Sequence, residues 1–366
     1  MTIRHRAQPF ILATLVGIGL TLSREATADD LPPVLTPEGN VAPDGIVSLE
    51  RVTLGGVEQT ILIRGASTDL PVLLFLHGGP GGAIMPWVDL FHTPLLEESF
   101  VVVHWDQRGA GSSYDPDLTV DDLTPRHFIS DTLELTDILC ERFEQEHIFL
   151  TGQSWGSALG FMTIARNSTP FHAFIAVSER VVWDRSFEMG YEWALEQARA
   201  GGDADILAQL EAIAPFDAFD EADLSVQRQA VAHYFGGDYH TPGLEEQYLS
   251  YALGGQSPYY TMADVQSYIP GLEISSDAVE QAEFLATYDL FELLPATDIP
   301  VHFITGADDW NTPADLAFAY YQALDAPDKS FHRIPDAAHM VLHDQPDAWA
   351  DAMVGIRNVT LGWDQR

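Results

Sequence analysis

The run Gly152-Gln153-Ser154-Trp155-Gly156 follows the apolar stretch His147-Ile148-Phe149-Leu150 with only Thr151 between them. A Gly-x-Ser-x-Gly run in that setting narrows the available folds, because it describes a sharp strand-to-helix turn. The serine backbone is strained there, and the flanking glycines let the chain fold tightly enough to lift the hydroxyl clear of the sheet edge. Ser154 is therefore the candidate nucleophile. Ser157, Ala158 and Gly160 continue as a small-residue helix face able to pack close against a sheet. A five-residue pattern also arises by chance, so the reading depends on the partners an acyl-transfer serine requires: a base, an orienting acid and an oxyanion hole.

Each partner has a candidate downstream or upstream of Ser154. The chain order expected with such an elbow is serine, acid, histidine, the last two following late strands. Val301-His302-Phe303-Ile304-Thr305 is a short β-rich run leading into Gly306-Ala307-Asp308-Asp309-Trp310-Asn311-Thr312-Pro313. Asp309 fits a Gly-x-x-Asp loop with a proline four residues on, and Asp308 reads as its solvated neighbour. Lys329 to Pro335 is the second run, and His339 in Asp336-Ala337-Ala338-His339-Met340 is the candidate base. His302, His332 and His343 read as structural or surface residues. The oxyanion donors are expected to be the backbone N–H of Trp155 and that of Gly79, in the loop His77-Gly78-Gly79-Pro80-Gly81-Gly82 after the continuous apolar run Pro71 to Leu76. A glycine-rich loop can also hold phosphate, but neither Gly-x-Gly-x-x-Gly nor a lysine-bearing P-loop is present here.

Taken together, HGGPGG at 77–82, DQRGAGSS at 106–113, GQSWGS at 152–157, GADDWNTP at 306–313 and AAHM at 337–340 resemble an α/β-hydrolase of the proline iminopeptidase type. The resemblance implies nucleophile Ser154, acid Asp309, base His339 and oxyanion donors Gly79 and Trp155. It also implies a doubly wound, mostly parallel sheet of about eight strands with a helical cap. Asp106, Gln107 and Arg108 correspond to a structural loop beside the site, with Arg108 paired to carboxylates or carbonyls.

Residues 183–292 interrupt the alternation of strands and helices with a helix-rich, aromatic and acidic insertion, read as the cap. Glu188 to Ala200, Ala204 to Ile213 and Ala278 to Thr287 carry apolar residues at helical spacing. Members of the resembled family hold the substrate's α-amine with cap glutamates, one in a Trp-Glu motif and one just ahead of a His-Tyr-Phe run. His233-Tyr234-Phe235 is present, but the residue two before the histidine is Val231, and the cap has no Trp-Glu pair. Glu192 and Glu179 are the candidates to take that part, against the plainer reading of solvated helix positions. The resemblance thus implies an aminopeptidase. An esterase or lactone hydrolase on the same triad, or a non-catalytic hydrolase-fold binding protein, stay open.

The N-terminus reads as an export leader over residues 1–28: Arg4, His5 and Arg6 precede the apolar Phe10 to Leu22, and Ala26-Thr27-Ala28 offers a small-x-small cleavage site. Thirteen apolar residues are too few for a permanent membrane span. Residues 29–44 follow as an extended lead-in, then a hydrolase core at 45–182 and 293–366 around the cap. The net charge is −38, and Arg4, Arg6, Arg24 and Glu25 make the leader +2, so the chain beyond it stands at −40. Such a surface excludes nucleic acid as a partner, repels itself unless salt screens it, and points to a salt-rich habitat. Cys140 is the sole cysteine, so no intrachain disulfide forms, and it is expected in the core. No histidine-cysteine cluster or His-Glu-x-x-His spacing occurs, so neither metal nor cofactor is expected. The partner expected is a small peptide or small ester; oligomeric state is not legible.

Overall fold

The computed structural model describes residues 31–90, 93–281 and 284–363, so the expected leader lies outside the described residues. Eight strands form one sheet: β1 (Ile46–Leu54), β2 (Val57–Gly65), β3 (Val72–Leu76), β4 (Val101–Asp106), β5 (Ile148–Gln153), β6 (Phe171–Val177), β7 (Val301–Gly306) and β8 (Lys329–Ile334). Their order is β1-β2-β4-β3-β5-β6-β7-β8, with β2 antiparallel to both neighbours and every other pairing after it parallel. The doubly wound, mostly parallel sheet expected from the sequence is present.

Strands β3 to β5 and β7 are buried along their whole length, as parallel strands covered by helices on both faces must be. Alternation divides their side chains between two cores. Leu74, Leu150, Phe174 and Phe303 point to one face, Leu73, Phe75, Phe149 and Ile175 to the other. On the first face Phe161 meets Phe174 edge-on at 4.8 Å and Tyr320 at 5.6 Å; truncating a buried aromatic of this kind costs about 3–5 kcal/mol. Half-buried Cys140 packs against the same core.

The helices are α1 (Thr93–Leu96), α2 (Pro125–Phe143), α3 (Trp155–Arg166), α4 (Trp183–Gly201), α5 (Ala204–Ala212), α6 (Glu221–His233), α7 (Leu244–Leu253), α8 (Met262–Gln281), α9 (Leu290–Leu293), α10 (Ala314–Ala323), α11 (Val341–Asp344) and α12 (Pro346–Thr360). Helices α4 to α8 make the cap. Ala194, Ala198, Leu210, Ala230 and Val231 give it a small core of its own, against which Trp193 and Trp310 pack, stacked on each other at 4.9 Å.

The helix expected over Ala278 to Thr287 is misplaced. The cap's last helix is α8, which ends at Gln281, and residues Leu285–Thr287 form only a short turn. Pro270 lies inside α8, where a proline ordinarily kinks or breaks a helix. Tertiary contact explains why it is tolerated. A Cβ on Gly271 would strike the carbonyl oxygen of Gly109, and a Cβ on Gly81 would lie 2.8 Å from the carbonyl oxygen of Gly271. The small residues let α8 seat directly on the loops after β3 and β4.

Parallel register determines where the site forms. Leu76 pairs with Gly152, Gln153 with Val177, Val177 with Ile304, and Gly306 with Ile334. The carboxyl ends of β3, β5, β6, β7 and β8 therefore line up, and their loops emerge along one edge, where α/β sheets bind ligands.

Candidate active site

Ser154 joins β5 to α3 with φ 55° and ψ −117°, a positive φ that a non-glycine residue rarely adopts. Close backbone approach on both sides explains the glycines. A Cβ on Gly152 would strike the Gly156 carbonyl, one on Gly156 the Leu76 carbonyl, and one on Gly160 the Phe174 ring. The strain at Ser154 is thus held by α3 lying against β3, β5 and β6.

Asp309 and His339 arrive from the loops after β7 and β8. His339 Nδ1 lies 2.9 Å from Asp309 Oδ2, and both residues are buried. Asp309 Oδ1 accepts from the backbone N–H groups of Asn311 (2.9 Å) and Thr312 (2.8 Å), and Oδ2 also accepts from the Thr312 hydroxyl (2.7 Å). Three donors thus fix a carboxylate that the sequence could only nominate. Asp308 is partly exposed and lies 3.4 Å from His240 Nδ1 instead. The histidine loop is braced by Asp344, which accepts from the N–H groups of Ala338, His240 and Thr241. Backbone bonds tie the cap to both loops: Trp310 N–H to the Gly236 carbonyl at 2.9 Å, His339 N–H to Gly237 at 3.2 Å and Met340 N–H to Asp238 at 2.8 Å.

In the loop after β3, Gly79 has φ +113°, and a Cβ on Gly78 would strike the Gln153 side chain. Burial pushes the His77 imidazole down to about 4, so the ring is neutral at physiological pH. Its Nε2 accepts from the Gln107 N–H (3.1 Å), so Nδ1 carries the proton and donates to the Gly78 carbonyl (2.8 Å). Gln107 also reaches the His77 carbonyl and the Trp155 indole N–H. It therefore clamps the two segments that carry Gly79 and Trp155. Arg108 forms a bidentate pair with Asp131, both bonds 2.8 Å. Asp106 accepts from Ser112 and from the cap's Tyr260 hydroxyl at 2.5 Å, and burial raises its carboxyl to about 6.

Ser154, His339, Gly79 and Trp155 line one cavity of about 670 Å³ beneath the cap. The size is that of a small-molecule site.

The sequence pattern of the α/β-hydrolase fold matches residues 71–346. The chain belongs to the α/β-hydrolase fold family. It is 28% identical over 310 residues to a probable aminopeptidase, YbaC, of Bacillus subtilis (strain 168), covering 84% of this chain and 95% of the relative. It is 26% identical over 289 residues to a proline iminopeptidase of Lactobacillus delbrueckii subsp. lactis, covering 76% and 87%. Among solved structures, the proline iminopeptidase of Mycobacterium smegmatis superposes with a TM-score of 0.62 at 20% identity, covering 86% of this chain and 98% of that one.

The cavity of this α/β-hydrolase is charged in a way the sequence did not disclose. Asp238 and Glu245, from the cap segment between α6 and α7 and the first turn of α7, line it together with Arg180 and Arg228. Partial burial and the Asp238 charge push the Glu245 carboxyl up. Glu192 lies elsewhere: it is on the exposed face of α4, 3.5 Å from Arg185, and does not line the cavity. Glu179 is buried and does not line the cavity, neither carboxylate oxygen has a hydrogen bond, and burial pushes it up to about 8 against the opposing charge of Arg180. Val231 is buried in the cap core, so a carboxylate there would have no access to the cavity. Among the described residues no cluster of His, Cys, Asp or Glu could hold a metal, and no helix is long and apolar enough to cross a membrane.

Proposed function

We propose that this α/β-hydrolase is an exported serine hydrolase that works through an acyl-enzyme, and that its substrates are short peptides from which it releases the N-terminal residue. The observation that carries the reading is the 2.9 Å contact between His339 Nδ1 and Asp309 Oδ2 in the cavity that also receives the strained Ser154. Asp309 holds the imidazole with its proton on Nδ1, which leaves Nε2 as the basic nitrogen. His339 takes the Ser154 proton as the hydroxyl attacks the carbonyl, and Asp309 stabilises the imidazolium. The N–H groups of Gly79 and Trp155 hold the oxyanion, and His339 returns the proton to the leaving amine. Water then releases the acyl group by the same steps. The names of the relatives support peptide substrates. Asp238 and Glu245 support recognition of a cationic α-amine, in place of Glu192 and Glu179.

An esterase on the same triad is the second reading. It is favoured by the buried Val231, where the resembled family carries an amine-binding glutamate. Turnover of prolyl and alanyl arylamides against short-chain p-nitrophenyl esters separates the two. The peptidase reading requires arylamide cleavage that N-acetylation of the substrate abolishes; activity confined to esters, or equal turnover of free and acetylated amide, defeats it.

A further inference from the structure

Among the described residues three arginines are almost fully buried: Arg64, Arg108 and Arg180. Arg64 is paired with Glu97 and Arg108 with Asp131. Among the described residues Arg180 has no carboxylate within ion-pairing distance, its buried Nη1 has no hydrogen-bond partner, and the side chain lines the cavity that holds Ser154 and His339. Its adjacent carboxyl does not serve as counter-charge, since neither oxygen of Glu179 meets a donor and burial keeps that group protonated at neutral pH. Burial and Arg228 lower Arg180 to about 10 while the charge of Asp309, itself committed to His339, partly offsets them, so the group stays cationic.

An ionised group taken out of water without an opposite charge is strongly unfavourable. In a chain with 55 acidic and 17 basic side chains, the shortage is of cations, not of carboxylates to pair with them. A guanidinium left unpaired at a cavity wall therefore marks a site whose anion comes from outside. Aromatic rings flank the cation: Arg180 lies 4.5 Å from the Trp183 ring centroid and 4.8 Å from that of Phe187, and Arg228 lies 5.3 Å from Phe187. Arg228 also lines the cavity, and its one ion pair among the described residues, to Glu221, is a long 3.9 Å.

We propose that Arg180, assisted by Arg228, forms a carboxylate subsite that takes the free C-terminus of a dipeptide or tripeptide. A guanidinium fork matches a carboxylate with two parallel hydrogen bonds. The proposal rests on the aminopeptidase reading, in which the α-amine, met by Asp238 and Glu245, belongs to the acyl part and the carboxylate to the leaving part. The cavity lining then carries both acidic and basic side chains, suited to a zwitterion, and its volume limits the peptide to a few residues.

The test compares binding of the dipeptide prolyl-alanine and of its C-terminal amide to the Ser154→Ala protein by calorimetry. The free acid is expected to bind roughly ten- to a hundredfold more tightly, the range of a charge-assisted hydrogen bond. Adding Arg180→Gln should erase the difference, and Arg180→Lys should restore part of it. Arg228→Gln, at a half-exposed position that does not threaten folding, should narrow it. Equal binding of acid and amide, with prolyl arylamide still cleaved by the wild-type enzyme, overturns the subsite and leaves the peptidase reading standing. No arylamide cleavage together with no binding of either dipeptide form defeats that reading and the subsite with it.

Discussion

Thr312 holds both oxygens of Asp309: its hydroxyl donates to Oδ2 at 2.7 Å and its backbone N–H to Oδ1 at 2.8 Å. With the Asn311 N–H also on Oδ1, the carboxylate is oriented before it meets His339. Thr312→Val keeps the shape and the backbone donor but loses the hydroxyl, and should lower kcat by about tenfold, the worth of one hydrogen bond to a charged group, with little change in KM. Asp309→Asn should cost roughly 10³-fold or more by presenting the wrong tautomer of His339, whereas Asp308→Asn should stay near wild type. Steady-state kinetics on one good substrate ranks the three; a reversed ranking of the two aspartates would move the acid to Asp308.

Ser154→Ala and His339→Ala should each abolish most activity, by about 10³-fold or more, because members of a triad act as a unit. Labelling by a fluorophosphonate probe should disappear in Ser154→Ala. Labelling that persists there would mean that another residue is the nucleophile.

Glu179 predicts a pH dependence of stability. Its folded value is raised from 4.5 to about 8 by burial, so the unfolded chain ionises first as pH rises. The wild-type protein should therefore lose stability between about pH 4.5 and 8 on account of this group, by an amount of the order of a few kcal/mol. Glu179→Gln removes the ionisation and should match the wild type near pH 4.5 but melt higher at pH 8. Parallel melting curves for the two proteins across that window would show that the group is not buried as a neutral acid.

The charge of −38 predicts strong self-repulsion that salt relieves. The melting temperature should rise markedly between about 0.1 M and 1 M monovalent salt, as the screening length shortens from roughly 10 Å to 3 Å. A flat or falling melting temperature would remove the inference of a salt-rich habitat.

Gly236 and the carboxylates that follow it show where sequence reading ended. The core strands were legible because each is a short apolar run, and the elbow because Ser154 can take its positive φ only beside residues small enough to permit close approach. The chemistry of the triad loops is equally local: Asp309 is fixed by donors two and three residues ahead of it. The cap was not legible in the same way. The expected helix over Ala278 to Thr287 is instead the end of α8, which contains Pro270 and seats Gly271 on Gly109 and Gly81, partners more than 150 residues away.

The motifs and the family resemblance they carry thus made the fold legible and nominated Ser154, Asp309 and His339 with the loops that hold them, since strained turns and close backbone contacts restrict which residues can occupy such positions. Which charges line the cavity was decided only by tertiary structure. With 55 acidic side chains, no local pattern separates Asp238 and Glu245 from solvated carboxylates such as Glu192, and nothing near Arg180 in sequence shows that its neighbour Glu179 leaves it unpaired. Those properties depend on which surfaces the cap removes from water when it closes over the sheet edge, a result of long-range packing rather than of any short stretch of chain.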